Sequence, residues 1–430
     1  MDFYLINLGC AKNLVESENL SRHLIQLGYQ PVDDIKDADI IIINTCGFIK
    51  EAKKESIETI LEILENKNKK TPIVVFGCLV QRYLNDLKTS IPEVELFLPV
   101  MPANELAMAI KNHFPPLTRK RYENKKVFFT PPSYKYIKIS DGCINYCSYC
   151  VIPMIRGSLK SRRMEDIIQE VEKSLEEGVY ELNLIGQDIT AYGKDLYGEP
   201  MLLKLVKEIL KIKKSFWLRL LYLYPTRIPD KLIEIMGQDK RLLSYLDIPI
   251  QHVNDRILRL MGRSYSKKEL LKVIGQLRKQ IPHIVLRTSL ITGFPTESED
   301  EFNEVVEFIK DVEFDHLGVF TYSPEEDTPA FNLKPSIPER VKKRRRKVIM
   351  EEQYKIVKRK LSGYKDKILE CIIEEPVDEL GALWVGRFYG QAPEVDGVVY
   401  IGGYEPKMGS IVPVKIKNVK DYDLFGDVKI

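Results

Sequence analysis

The stretch YKYIKISDGCINYCSYC, residues 134–150, decides how this chain is read. Its first part, Tyr134 to Ile139, reads as a strand. Its second part sets Cys143, Cys147 and Cys150 in a C-x3-C-x2-C loop directly after that strand. Three thiolates in one loop can hold three irons of a four-iron four-sulfur cluster, which normally takes four Cys. The missing fourth ligand leaves one iron open, and an open position is what a catalytic metal site needs. The bland alternative is a structural zinc knuckle. It needs a fourth ligand from elsewhere, and none of the five His lies beside this loop.

Reading outward, five more apolar strands follow: Glu181 to Ile185, Phe216 to Leu221, Leu243 to Ile248, Ile284 to Ile291 and Leu317 to Tyr322. Amphipathic helices separate them, among them Met164 to Glu177 (ending at Gly178, a suitable left-handed cap), Lys268 to Lys279 and Glu299 to Val312. Six βα units predict a partly closed barrel with its chemistry at the C-terminal strand ends. Upstream lie the strands Phe3 to Leu8, Asp39 to Ile43 and Ile73 to Phe76, with helical patterns at Asn19 to Leu27 and Ile49 to Leu64. That alternation predicts a parallel α/β layer. A linker begins at Phe114 to Thr118, around Pro115-Pro116. A helix from about Arg340 to Lys360 carries the basic run Lys342 to Lys347. Beyond it, short strands with turns such as Gly402-Gly403 predict a small β-barrel. The expected chain is therefore α/β, with domains at 1–119, 127–361 and 362–430.

A length of 430 residues suits about three domains. Hydrophobic residues at 44% support sizeable cores, and 24 Gly with 24 Pro exclude a collagen-like or low-complexity chain. Seven Cys are too sparse for a disulfide-stapled miniprotein. The net charge of +3 selects no partner. The N-terminus MDFYLINLGC has neither a basic region nor a long apolar one, and no apolar run approaches a spanning length. The expectation is a cytoplasmic protein without membrane contact, whose thiols stay reduced and are available as ligands.

Three further Cys each follow an apolar strand: Cys10 after YLINLG, Cys46 after DIIIINT and Cys78 after PIVVFG. Residues just past the strand ends of a parallel sheet converge on one edge, so these three are expected to be neighbours holding a second cluster. Three buried apolar Cys are the alternative. Cys371, inside the strand-like run Ile368 to Ile373, reads as such a buried Cys.

The cluster loop on six βα units resembles the radical S-adenosylmethionine (SAM) superfamily. With the second Cys trio and the small terminal barrel, essentially the whole chain resembles the methylthiotransferases of that superfamily. The matching segments are LGCAKNLVESE (8–18), NTCGFIKEAKKES (44–56), ISDGCINYCSYCVIPMIRGSLKSR (139–162), GQDITAYG (186–193), LDIPIQHVNDRILRLMGR (246–263) and GRFYGQAPEVDG (386–397). The resemblance implies two 4Fe-4S clusters, a TRAM domain at the C-terminus and two SAM molecules per turnover. One SAM is cleaved at the Cys143/Cys147/Cys150 cluster to a 5′-deoxyadenosyl radical. The other supplies a methyl group to sulfur held at the Cys10/Cys46/Cys78 cluster. It also implies that Tyr149 lies against the adenine and that the segment Thr292 to Pro295, with Gly293, lines the cofactor. Many superfamily members carry Gly-Gly-Glu after the second strand, touching the SAM amino group. Here the residues are Gly186, Gln187 and Asp188, and either Gln187 or Asp188 is expected in that role.

Ala11-Lys12-Asn13 stands where tRNA-modifying relatives usually show Gln-Met-Asn. That favours the branch acting on an aspartate of the twelfth small-subunit ribosomal protein, with a tRNA adenosine as the alternative substrate. Ala11 and Glu16 replace the more usual Pro and Asp, with no chemical consequence expected. An external electron donor is implied. Residues 362–430 hold eight basic and 12 acidic side chains, a net of −4, which suits a basic protein partner better than RNA. The run Lys342 to Lys347 points the other way, toward ribosomal RNA, unless it is solvated or paired with acids such as Glu351 and Glu352. Arg156, Arg162 and Arg163 are candidates for gripping a carboxylate of cofactor or substrate, against a surface role. Gln251-His252 follows a strand end at Ile250 and is a candidate for facing the site, against the at least equal reading of a satisfied structural His.

Overall fold

The computed structural model describes residues 1–68, 70–116, 130–377, 382–403 and 406–429. The expected domain limits at Arg119 and Val127, and the linker beyond residue 116, lie outside them. Two compact units form: Met1–Phe129 with Cys150–Ser158, and Thr130–Tyr149 with Leu159–Ile430. The six-strand core and the terminal barrel thus share one unit, and a short segment after Cys150 belongs to the other.

The first unit is a parallel sheet of β1 (Asp2–Asn7), β2 (Gln30–Pro31), β3 (Ile40–Thr45), β4 (Ile73–Gly77) and β5 (Leu96–Leu98), in the order β2-β1-β3-β4-β5. β3 is central, and all six of its residues are buried, as an IIIINT strand covered on both faces requires. Leu5, Ile40, Ile42, Val74 and Phe76 share one apolar cluster; Ile41, Ile43, Ile73 and Val75 share the other. The pairs Asn7↔Asn44 and Thr45↔Gly77 bring the ends of β1, β3 and β4 level. The two edge strands, β2 and β5, are too short for the sequence to announce. The helix Ala11–Gln26 begins well before the expected Asn19.

The second unit begins with β6 (Tyr134–Lys138). A small ribbon of β7 (Ser140–Asp141) and β8 (Lys160–Ser161) follows. The parallel core continues through β9 (Glu181–Ile185), β10 (Trp217–Leu220), β11 (Leu242–Asp247), β12 (Val285–Thr292) and β13 (His316–Thr321). The six strands run β6-β9-β10-β11-β12-β13 with helices packed outside, the partial barrel expected. β14 (Ile368–Pro376), β15 (Leu383–Phe388), β16 (Val399–Gly402), β17 (Ile411–Lys420) and β18 (Asp423–Val428) close into a separate barrel around Cys371, Trp384 and Val399.

One loop of this second barrel, residues 389–398, meets five of the six core strands, and Arg387 of β15 meets the sixth. Tyr134 of β6 donates to Glu394 at 2.9 Å, and Arg219 of β10 to the Tyr389 carbonyl at 2.8 Å. Tyr245 of β11 and Arg287 of β12 both donate to Asp396. His316 of β13 binds the Gly390 carbonyl and lies 3.3 Å from Asp396. Glu181 of β9 accepts from Arg219 and from Arg387, which also binds Glu374. Two acids of the −4 balance are therefore interior: Glu374 and Asp396 are buried against cations rather than displayed to a partner.

Removing Asp396 strands Arg287, Tyr245 and His316 at a site whose carboxylate is 1% exposed. Asp396→Ala is expected to cost about 3–5 kcal/mol, the loss typical of a broken buried ion pair, read from the urea unfolding midpoint. Burial pushes the Asp396 carboxyl up, but His316 and Arg287 outweigh it and hold the group below its ordinary value. Its contribution is thus present above about pH 3.9 and is lost as pH falls through the lower folded value.

Candidate cofactor sites

In the first unit the three Cys stand where the strand order puts them, just past the ends of β1, β3 and β4. Cys10 precedes the helix Ala11–Gln26, and Cys78 opens the helix Cys78–Ser90 from Gly77, whose φ of +107° only glycine adopts without strain. The backbone of Cys46 is gripped on both sides by the Ser56 hydroxyl, at 3.0 and 3.1 Å. A Cβ added at Gly9 would stand 2.9 Å from the Cys46 Cβ, and one at Gly47 2.7 Å from the Cys78 carbonyl. The two glycines therefore let the three Cys segments close on one another. Asn13 ties them together: its amide donates to the Leu8 carbonyl at 2.9 Å, and its own carbonyl accepts from Asn44.

Burial pushes the Cys46 thiol up to about 12, and the neighbouring Cys10 and Cys78 add to the shift. Burial also raises Cys78, against the lowering effect of Arg156. As the side chains stand, no three His, Cys, Asp or Glu among the described residues form a closed ligand set. What the chain provides is a soft donor set without competing His. Such thiols release their protons when a metal supplies the compensating charge.

In the second unit the loop after β6 carries Cys143 and Cys147, and it is held at several points. Asn145 places its N–H 3.5 Å from the Cys143 sulfur and its side-chain amide 2.8 Å from Asp188. Arg227 donates to both Asn145 and Asp188, at 2.7 and 3.1 Å, while lying over the Tyr224 ring. Ser148 bonds the Leu260 and Met261 carbonyls, and Ala330 donates to the Ser148 carbonyl. Gly262 lies against Cys147. Arg263 is stacked by Tyr224 and Tyr265 with its Nε buried and unpartnered. Tyr149 packs beside Phe294 and Tyr322. Burial raises the Cys143 thiol, opposed by the Asn145 N–H. Cys150 itself opens the segment that joins the first unit, where Val151 and Ile155 pack on Cys78.

Past β9, Asp188 is fully engaged: it accepts from Thr190, Asn145 and Arg227. Gln187 donates to Asp141 at 2.9 Å, but its Oε1 is buried without a partner. The Ser140 hydroxyl is likewise buried and unpartnered, and a Cβ at Gly186 would stand 2.8 Å from it. An orphaned acceptor in a cradle open only to glycine is a fit for a ligand amino group. Gly293 has φ +70°; a Cβ there would collide with Lys342, and its N–H binds Glu297.

Other candidates have structural work. Arg162 binds the Lys138 carbonyl and Glu170, and Arg163 is exposed beside Glu165. His252 is buried between the Asn254 N–H and Glu297. In the basic run, Lys342 reaches the Tyr322 carbonyl, Arg345 pairs with Glu297 and Arg344 with Glu299 at the start of the helix Glu299–Val312, while Lys347 lies 3.8 Å from Glu351, one of the acids the sequence suggested. Sequence reasoning missed Asn145, Arg227 and Arg263. Only Asn145, lying between two Cys of the loop, carried a signal that could have found it.

Residues 2–99 match the family described as uncharacterized protein family UPF0004, residues 137–309 the radical SAM superfamily and residues 367–428 the TRAM domain. A protein of Acetivibrio thermocellus named ribosomal protein uS12 methylthiotransferase RimO is 45% identical over 442 residues, covering 99% of this chain and 97% of its own. The chain belongs to the RimO family of radical SAM methylthiotransferases. The RimO protein of Aquifex aeolicus is 44% identical over 427 residues, with 99% and 97% covered. Among solved structures, the radical SAM methyltransferase TsrM of Kitasatospora setae has a TM-score of 0.56 over 77% of this chain and 74% of its own. At 14% identity that likeness speaks for the fold alone. RimO membership brings two 4Fe-4S clusters and SAM as cofactors, and the two donor sets described above are compatible with them.

Proposed function

We infer that this chain is a ribosomal protein uS12 methylthiotransferase, converting an aspartate of that protein to 3-methylthioaspartate with two SAM per turnover. The observation that carries the reading is near-full-length identity of 40–45% to proteins of that name. The tRNA alternative is not favoured. An aspartate β-C–H is too weakly acidic for a side-chain base, so cofactor chemistry must break it.

The clusters, when bound, supply the electron that cleaves SAM and the site from which sulfur is delivered. The chain's own residues hold and orient. We assign Cys143, Cys147 and Cys150 as ligands and catalytic residues of the cleaving site, and Cys10, Cys46 and Cys78 as ligands of the sulfur site. Asn145, Asp188 and Arg227 keep the cleaving loop in shape. Gln187 Oε1 is the better acceptor for the SAM amino group, because the Asp188 carboxylate is already occupied. Tyr149 serves the adenine, and Gly186 and Gly293 shape the backbone around the cofactor. The division of labour follows segments 1–119, 127–361 and 362–430.

Among the described residues no helix is long and apolar enough to cross a membrane. A cytoplasmic enzyme fed by an external electron donor fits a ribosomal substrate. Lys343 and Arg346 are exposed on the helix Glu339–Ser362 and offer a secondary contact with ribosomal RNA.

The test is anaerobic turnover of the reconstituted protein with uS12 and with tRNA, each read by mass spectrometry. A methylthio gain on the uS12 aspartate is expected. A gain on tRNA with none on uS12 would overturn the reading.

A further inference from the structure

Arg156 was a candidate for holding a carboxylate of cofactor or substrate, but its guanidinium is turned into the first unit, with a side chain 3% exposed. Both carboxylate oxygens of Glu16 accept from it, Asn13 Oδ1 lies 3.1 Å from Nη2, and the Cys78 sulfur lies 3.0 Å from the same nitrogen. Glu16, given no chemical part in the sequence reading, is thus the counter-ion of this cation. A buried guanidinium is costly unless its N–H groups are paired. Here one of the groups it faces is a thiol of the sulfur-site trio.

The segment that delivers Arg156 is fixed in place. Ile152–Arg156 is a short helix whose Ile155, with Val151, packs directly on Cys78. Cys78 itself starts a helix, so its sulfur approaches from a defined direction. Neither partner has freedom to swing away, and the contact is a built one.

We propose that Arg156 is a positioning residue for the cluster held by Cys10, Cys46 and Cys78: it fixes the Cys78 sulfur and places a positive charge beside that ligand, raising the reduction potential of the cluster. Hydrogen bonds and nearby charge at ligating sulfurs are the protein's main levers on such potentials, because a cation favours the more negative, reduced state. The inference rests on the cluster assignment under the proposed function and adds to it a residue from outside the trio. Glu16 opposes Arg156 and sets the net field.

The experiment uses full-length protein in which Cys143, Cys147 and Cys150 are all changed to Ala, so that only the N-terminal cluster is read. Midpoint potentials are taken by EPR-monitored redox titration, alongside iron content, for this background and for Arg156→Gln, Arg156→Lys and Glu16→Gln on top of it. Arg156→Gln is expected to move the potential to more negative values, Glu16→Gln to more positive ones, and Arg156→Lys to restore most of the background value. Should Arg156→Gln lose its iron, the opposite-signed Glu16→Gln shift still decides. Unmoved potentials, or a shift of the same sign for Arg156→Gln and Glu16→Gln, would overturn the proposal. A background retaining no iron would instead sink the cluster assignment itself, and the inference with it; roughly four irons per chain is the value required.

Discussion

Cys147→Ala is expected to yield no 5′-deoxyadenosine above background under strong reductant, and no methylthio product. The loop after β6 offers Cys143, Cys147 and Cys150, and none of the five His lies beside it in sequence. A cluster already short of one Cys does not survive the loss of a second ligand as a site able to hold SAM. The fold should survive. The loop's grip comes from Asn145 on Asp188 and from Ser148 on Leu260 and Met261, none of which uses the Cys147 sulfur. Its thiol is half-buried, so the stability change should stay at about 1 kcal/mol or less. Chromatographic assay of 5′-deoxyadenosine, with a melting curve on the same sample, checks both halves. Near-normal cleavage in a folded variant would remove this loop from the reaction.

Much of this was legible in the sequence because the signals were periodic or covalently local. The run IIIINTC at 40–46 could only be a central strand with a Cys at its end, and the C-x3-C-x2-C loop needs no tertiary structure to be recognised. The strand order β2-β1-β3-β4-β5 then made Cys10, Cys46 and Cys78 neighbours, as three strand-end Cys in a parallel sheet require. What stayed hidden depends on long-range partners. Arg345 in a basic run looks like surface until Glu297, 48 residues away in sequence, is found against it. Arg156 meets Glu16 across 140 residues. Gln187 and Asp188 are indistinguishable as letters, and only the occupancy of the Asp188 oxygens separates them. The acidic count of the terminal barrel misled in part, because burial had already consumed Glu374 and Asp396 in pairs with Arg387 and Arg287.

The other large effect separates the two trios. Cys46 lies at the end of β3, its backbone held by Ser56 and its thiol buried. Cys46→Ala removes one sulfur and little volume, so the sheet around Ile41 and Ile43 should stay packed. If the N-terminal trio carries the sulfur to be transferred, this variant must still cleave SAM at Cys143, Cys147 and Cys150 yet deliver nothing to the substrate. Abortive cleavage without product is a demanding outcome, because it requires one reaction to be divided between two places in one chain. The decisive measurement is therefore the paired yield of 5′-deoxyadenosine and 3-methylthioaspartate from anaerobic turnover of Cys46→Ala with uS12. 5′-Deoxyadenosine near the wild-type amount with no 3-methylthioaspartate is the predicted result; methylthioaspartate formed at a wild-type level would contradict it and leave Cys46 as packing alone.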